Sequence, residues 1–184
     1  MAKENVVVTY SKKSAAKRVD YIMDNYSVFE QMIEGEEECL YVKIRREQEE
    51  LRNKRDDLGV RVQTSNISDI TGNTATKNAD VSMGIRNGDW KLAAKGTKHY
   101  AKYRHAIETL QLMKDDYSIV RSQLKGIKDE DNLFHRYLNG EMKNDELADT
   151  AKITPNALRA RICRFRSELR DKALNFIEDE EMCA

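Results

Sequence analysis

Five arginines and two lysines near the carboxy-terminal end are the side chains of this sequence best suited to chemistry, and that chemistry is the binding of a polyanion. From Lys152 to Lys172 the basic residues are Lys152, Arg159, Arg161, Arg164, Arg166, Arg170 and Lys172, opposed only by Glu168 and Asp171, a local balance of +5. The whole chain of 184 residues carries 32 basic and 32 acidic residues and sums to zero. The excess is therefore a local concentration of charge, and a cluster of guanidinium groups on one element is what phosphate recognition requires.

The element that must position them is a helix. Thr154 followed by Pro155 is a helix start: a threonine hydroxyl can accept from an orphan backbone N–H, and proline tolerates the first helical position. From there Leu158, Ile162, Phe165, Leu169, Ala173 and Phe176 recur at spacings of four and three, which lays one apolar stripe along a helix and leaves the arginines outside it. A charge-rich helix can equally be a solvated surface, so the residues upstream matter. Leu147, Ala148 and Ala151 supply an apolar face for a short preceding helix, and Ile153 plugs the joint between the two. Leu133, Phe134, Tyr137 and Leu138 form a further amphipathic turn and a half, closed by Asn139-Gly140, a helix-ending pair. Three short segments ending in a basic helix make a tri-helical unit.

At these residues the chain resembles the fourth region of bacterial sigma factors, the helix-turn-helix that reads promoter DNA. The resemblance rests on Glu146-Leu147-Ala148, Ile153-Thr154 and Leu158-Arg159-Ala160-Arg161-Ile162, with Arg164, Arg166 and Leu169 in step. Tyr137-Leu138-Asn139-Gly140 is similar to the end of the family's preceding helix. The match covers roughly a fifth to a quarter of the chain. It departs from the family pattern at Lys152, where glycine is usual in the turn, and in a segment one residue longer between Gly140 and Glu146. The earlier sigma regions have no counterpart, so the chain looks like the small phage- and mobile-element-encoded regulators that carry such a reader behind a helical amino-terminal part. The resemblance implies that Pro155, Asn156, Arg159 and Ala160 face base edges in the major groove. It also implies that Lys152, Arg161, Arg164 and Arg166 contact phosphates. Asn156 has capping of the helix as its competing role.

Elsewhere the pattern predicts an all-α protein: a long amino-terminal helical hairpin or coiled-coil-like part, then the compact tri-helical domain. A single proline with abundant Glu, Lys, Arg and Leu favours long helices. Residues 5 to 10, Asn-Val-Val-Val-Thr-Tyr, are the one β-like run, with no evident partner strand. Residues 12 to 23 read as helix, with Ala15, Ala16, Val19, Ile22 and Met23 on one side. A long helix follows Ser27 as far as Leu58-Gly59, with Ile44, Leu51 and Leu58 at heptad-like positions. Residues 60 to 82 lose the helical period, and Thr71-Gly72-Asn73 is a turn signal. From Gly96-Thr97 a second long helix carries Tyr100, Tyr103, Ile107, Leu110, Tyr117, Val120 and Leu124 and ends near Gly126. The two long helices would each leave an apolar stripe half exposed, which an antiparallel hairpin or a dimer would cover. Tyr100 and Tyr103, beside Lys98, Lys102 and Arg104, suit a core or interface better than nucleotide stacking. The expected organisation is an amino-terminal helical region over 1–59, a polar linker with a short helix over 60–95, a packing helix over 96–126, and a DNA-binding domain with an acidic tail over 127–184.

Composition excludes several classes. Cys39, Cys163 and Cys183 are odd in number and scattered, and none lies near His99, His105 or His135, so no zinc site, other metal or cofactor is expected. Cys163 reads as a half-buried packing residue. Ser65-Asn66-Ile67-Ser68-Asp69 has no accompanying base or metal triad, and there is no phosphate-cradling glycine loop, so no enzyme is expected. No apolar run is long enough to span a bilayer, and the start Met-Ala-Lys-Glu-Asn lacks the layout of a secretory signal. The expectation is a sequence-specific double-stranded DNA-binding regulator of transcription in the cytoplasm of a bacterial host, acting as a homodimer, with RNA polymerase or another host protein as a further partner. Its alternative is a phage-type inhibitor of a host RNA-guided nuclease, an anti-CRISPR protein. That reading would use Glu36, Glu37 and Glu38, and the acidic run from Glu178 to Glu181, to occupy a basic channel. Glu36–Glu38 is also what a plain solvated face looks like.

Overall fold

The computed structural model describes residues 5–56, 70–129 and 131–177, which are built from helices with no strand among them. In chain order these are α1 (Val6–Ser11), α2 (Ala15–Asp24), a 3-10 turn (Tyr26–Val28), α3 (Phe29–Asp56), α4 (Ile70–Asn87), α5 (Trp90–Ala93), α6 (Tyr100–Leu124), α7 (Leu133–Leu138), α8 (Asn144–Thr150) and α9 (Pro155–Ile177). The all-helical class expected from the sequence is what the chain adopts. Leu58, Gly59, positions 60–69 with the Ser65–Asp69 run, the acidic run from Glu178 to Glu181 and Cys183 lie outside the described residues. The residues divide into two units: unit 1 is Met1–Val8 with Ile33–Leu112, and unit 2 is Thr9–Met32 with Met113–Ala184.

In unit 1 the buried residues are Ile33, Leu40 and Ile44 of α3, Val81 and Ile85 of α4, Ala93 and Ala94 around the end of α5, and Tyr103, Ile107 and Leu110 of α6. Glu47 fixes where α6 begins. Its carboxylate accepts from the backbone N–H of Lys98 and of His99 (3.1 Å), lies 2.9 Å from the His99 Nδ1, and accepts from the Tyr103 hydroxyl at 2.6 Å. Those donors satisfy N–H groups that a helix start leaves orphaned. Burial alone would push the Glu47 carboxyl up, but the four hydrogen bonds outweigh it and hold the group down at about 2. The tyrosine prediction thus resolves toward structure at Tyr103, which is 7 % exposed and spent on Glu47.

Two sequence expectations are corrected in the amino-terminal half. The β-like run at residues 5 to 10 is helical over Val6–Ser11. The Asn5 side chain accepts from the N–H of Val7 (2.9 Å) and Val8 (3.3 Å), which starts a helix there. β-Branched residues lose only some tenths of a kcal/mol each in a helix, and burying Tyr10 completely outweighs that. The expected loss of helix over residues 60 to 82 fails from Ile70 onward, where α4 runs to Asn87. Among its residues whose side chains are described, Val81, Gly84 and Ile85 are buried, while residues 75–77 are exposed. Gly84 lets α5 approach: a β-carbon there would sit 2.7 Å from the Ala93 nitrogen and 2.8 Å from the Asp89 carbonyl oxygen. A four-residue helix can therefore lie directly on α4.

Unit 2 is discontinuous in sequence, because α2 packs on α9. Its core joins Val19, Ile22 and Met23 of α2 to Leu133, Phe134, Leu147, Leu158, Ile162, Leu169, Ala173 and Ile177 of α7 to α9. Within it Asp116 is 1 % exposed and accepts from the Tyr10 hydroxyl (2.7 Å) and from the Arg18 Nε (2.8 Å). Burial, followed by the adjacent carboxylate, pushes the Tyr10 hydroxyl strongly up, so it serves as a fixed donor. Phe29 completes the surroundings, its ring 6.1 Å from Tyr10 and 5.3 Å from Tyr117.

Candidate nucleic-acid interface

The geometry of the basic helix begins with the turn before it. α8 opens with the Glu146 carboxylate accepting from the Lys143 N–H at 3.4 Å, the reciprocal half of a capping box. It ends in paired hydrogen bonds: Lys152 N–H to the Asp149 carbonyl (3.1 Å) and Ile153 N–H to the Ala148 carbonyl (3.0 Å). That pattern is a Schellman motif with Lys152 in the position that must be left-handed, and Lys152 has φ +55°. The turn therefore keeps the conformation that glycine usually supplies although the residue is lysine. Ile153 is half-buried at the joint, as its place in the sequence suggested.

Thr154 then caps α9, its hydroxyl accepting from the Ala157 N–H at 3.2 Å. The cap is Thr154 and not Asn156, which leaves Asn156 free of that duty. Upstream, Asp129 accepts from the N–H of Phe134 at 2.8 Å and so starts α7, and Gly140 with φ +64° closes it. Phe134 stacks on Phe165 with ring centres 5.5 Å apart, which ties α7 to the middle of α9.

Along α9 the predicted site residues separate into two groups. Pro155, Asn156, Arg159 and Ala160 are all exposed on its first turns, and Asn156, Arg159, Ala160 and Cys163 share one face at helical spacing. Lys152 and Arg164 are exposed too, and no carboxylate engages the side chains of Lys152, Arg159 or Arg164 among the described residues. Arg161 meets Asp131 at 3.0 Å on the surface, a pair that solvent weakens and a phosphate could displace. Arg166 differs. Its side chain is 22 % exposed and bonds Asp24 of α2 at 2.7 Å, and one turn on Arg170 bonds Asp20 of the same helix. The expectation that Arg166 stands out toward phosphate is therefore corrected: it faces α2, because α9 must present carboxylate partners with a matching row on that side.

The apolar stripe shows the same division. Leu158, Ile162 and Leu169 are buried and Phe165 is half-buried, as predicted, but Phe176 is 55 % exposed and Ile177 is buried in its place. Arg166 and Arg170 face α2, whereas Phe165 stacks on Phe134 of α7, so the side of α9 that is covered changes along the helix. Cys163, expected to be half-buried, is exposed, as is Cys39. On α3 the acidic trio is partly engaged: Glu36 accepts from the Asn5 amide at 3.0 Å, Glu37 is half-buried and Glu38 is exposed. Among the described residues no group of three or more His, Cys, Asp or Glu is arranged to hold a metal, and no helix is long and apolar enough to cross a membrane. No family model, curated protein or solved structure matches the chain.

Proposed function

We propose that this protein is a sequence-specific double-stranded DNA-binding regulator of transcription, of the kind phages and mobile elements encode, with α8 and α9 as a helix-turn-helix reader. The observation that carries the reading is the first half of α9. Four predicted base-facing residues share its exposed surface, and neither Arg159 among them nor Arg164 beside them has a carboxylate partner among the described residues. An unpaired arginine on an exposed helix start can offer both nitrogens to guanine O6 and N7. Lys152, in the tight turn, and Arg164 reach toward phosphate, which sets register without reading sequence. The regulator acts as a homodimer, since a reader of this size gains specificity by pairing two half-sites.

Selection from random duplexes at two salt concentrations tests this directly. A consensus should emerge, and Arg159→Ala should relax it at one base pair by about 1–3 kcal/mol while sparing the other positions. Selection that enriches nothing over the starting pool, with α8 and α9 intact by circular dichroism, would refute the reader.

A further inference from the structure

Unit 1 carries a second local concentration of positive charge. Residues 90 to 107 hold no aspartate or glutamate, whereas a stretch of that length in this chain would average about three. They hold five cations instead: Lys91, Lys95, Lys98, Lys102 and Arg104. All five side chains are exposed. The stretch from 150 to 167 around the start of α9 has the same make-up, eighteen residues with five cations and no acid. In a chain of zero net charge, two such segments are two separate positive fields.

The nearby carboxylates do not answer these lysines. Glu47 is occupied with the start of α6 and only 12 % of its side chain is exposed. Asp89 accepts from the Leu92 N–H at 3.0 Å as the cap of α5. Glu108 pairs with Arg104 at 2.7 Å, one turn along α6. Lys91, Lys95, Lys98 and Lys102 have no carboxylate partner among the described residues. Trp90 organises part of the group: the Lys91 Nζ lies 5.3 Å and the Arg104 Cζ 5.0 Å from its ring centre, and Tyr100 meets it edge-on at 4.9 Å. Cation–π contacts of that kind hold two long side chains in place, so less entropy is lost when they bind. The groove of about 660 Å³ beside Lys95 holds both signs, Arg52 and Lys77 with Asp80 and the Arg45–Glu49 pair, so the field rests on the lysines of residues 90 to 107.

We propose that this face binds the sugar-phosphate backbone of nucleic acid without regard to sequence, in addition to any reading done by α9. It rests on none of the α9 residues. A phosphodiester chain suits separated point charges on flexible stems, each meeting one phosphate. A protein partner would need an apolar patch to desolvate against, and a bilayer would need apolar side chains to insert. Tyr100, 39 % exposed, is the one large hydrophobic residue of this stretch that stands out.

The single tryptophan of the chain lies inside this surface and reports on it. A random-sequence duplex of about 30 base pairs is titrated into the full chain while Trp90 emission and duplex anisotropy are followed at several salt concentrations. We expect Trp90 emission to shift on binding, in the wild type and equally in the Arg159→Ala, Arg164→Ala variant. Replacing Lys91, Lys95, Lys98 and Lys102 together by glutamine should abolish the shift. It should lower the slope of log K against log salt by about 3–4 and weaken binding up to about eight-fold per lysine at 0.1 M salt. Arginine at the same four positions should restore both. If Trp90 emission stays constant through saturation, or the glutamine variant keeps the wild-type slope with its helices intact, the surface does not bind phosphate. Selection from random duplexes that enriches nothing with the wild-type chain, with the Trp90 signal retained, would sink the reader alone.

Discussion

Replacing Lys152 by glycine should stabilise the protein and, on the proposed function, weaken binding to DNA. Lys152 sits at φ +55° in the Schellman turn between α8 and α9, where an L side chain brings its β-carbon close to the following carbonyl. That conformation costs a non-glycine residue about 1–2 kcal/mol. Glycine removes the cost but brings a more flexible unfolded chain, worth about 0.5–1 kcal/mol against it. The net gain is on the order of 0.5–1 kcal/mol, which in a chain of this size raises the melting temperature by about 1–4 °C. Lys152 is exposed and without a carboxylate partner among the described residues, so no ion pair is lost in exchange.

Binding should move the other way. If Lys152 neutralises one phosphate, its removal lowers the slope of log K against log salt by about 0.9 for duplex DNA, whatever the sequence. Lys152→Asn separates the two effects, since asparagine tolerates the left-handed region but carries no charge. It should bind as weakly as the glycine variant with less gain in stability. Thermal melts followed at 222 nm, with salt-dependent anisotropy titrations on the same samples, give both quantities. A glycine variant that melts lower than wild type would refute the reading of the turn. One that binds with an unchanged salt slope would remove Lys152 from the interface.

Three further outcomes follow from named contacts. Cys163 shares the exposed face of α9 with Asn156 and Arg159, so in a variant lacking Cys39 and Cys183 its alkylation by a maleimide should slow at least several-fold in the presence of specific duplex; equal rates with and without DNA would place that face away from the groove. Asp116→Asn should cost about 3–5 kcal/mol in urea denaturation because Arg18, 8 % exposed, loses its counter-charge, whereas Asp116→Leu with Arg18→Met and Tyr10→Phe, which leaves no orphaned hydroxyl, should recover most of it; a change below about 0.5 kcal/mol for Asp116→Asn would show the pair to be dispensable. Glu47 is held below its unfolded value of 4.5, at about 2, so its contribution is complete above 4.5 and fades as pH falls toward 2. Glu47→Gln should therefore flatten the acid side of the stability profile and cost on the order of 2 kcal/mol at neutral pH, discounted for the solvated rim of the site; a profile superimposable on wild type would rule out the cap.

What could be read from the sequence was whatever a single element decides by itself. Thr154-Pro155, Asn139-Gly140 and the run of threes and fours through Leu158, Ile162 and Leu169 are local signals, and each marks a helix or its end where it lies. The misses come from neighbours that no local pattern names. Val6–Ser11 is helical because Asn5 caps it and Tyr10 is buried against Asp116, a residue 106 positions away. α4 is hard to read because, among its residues whose side chains are described, only Val81, Gly84 and Ile85 are buried. Phe176 and Ile177 exchange roles because α2, not α7, covers the end of α9. The run of residues 90 to 107 without an acid is legible in the sequence, but that its lysines have no carboxylate partner among the described residues depends on tertiary neighbours.

The division of labour along α9 bears on how DNA would be held. Arg166 and Arg170 bond Asp24 and Asp20 and so seat α2, while Lys172 pairs with Glu168 one turn back on α9 itself. Lys152, Arg159 and Arg164 remain, with Arg161 available if Asp131 yields. With Arg159 on a base, two or three phosphate contacts would give a salt slope of about 2–3, too little for tight binding at physiological salt by one copy. Affinity must therefore come from a second copy on a neighbouring half-site, from the lysines of unit 1, or from both. The two sources leave different marks: a second half-site doubles the slope only on DNA carrying both halves at the correct spacing, whereas the lysines raise it on every duplex alike.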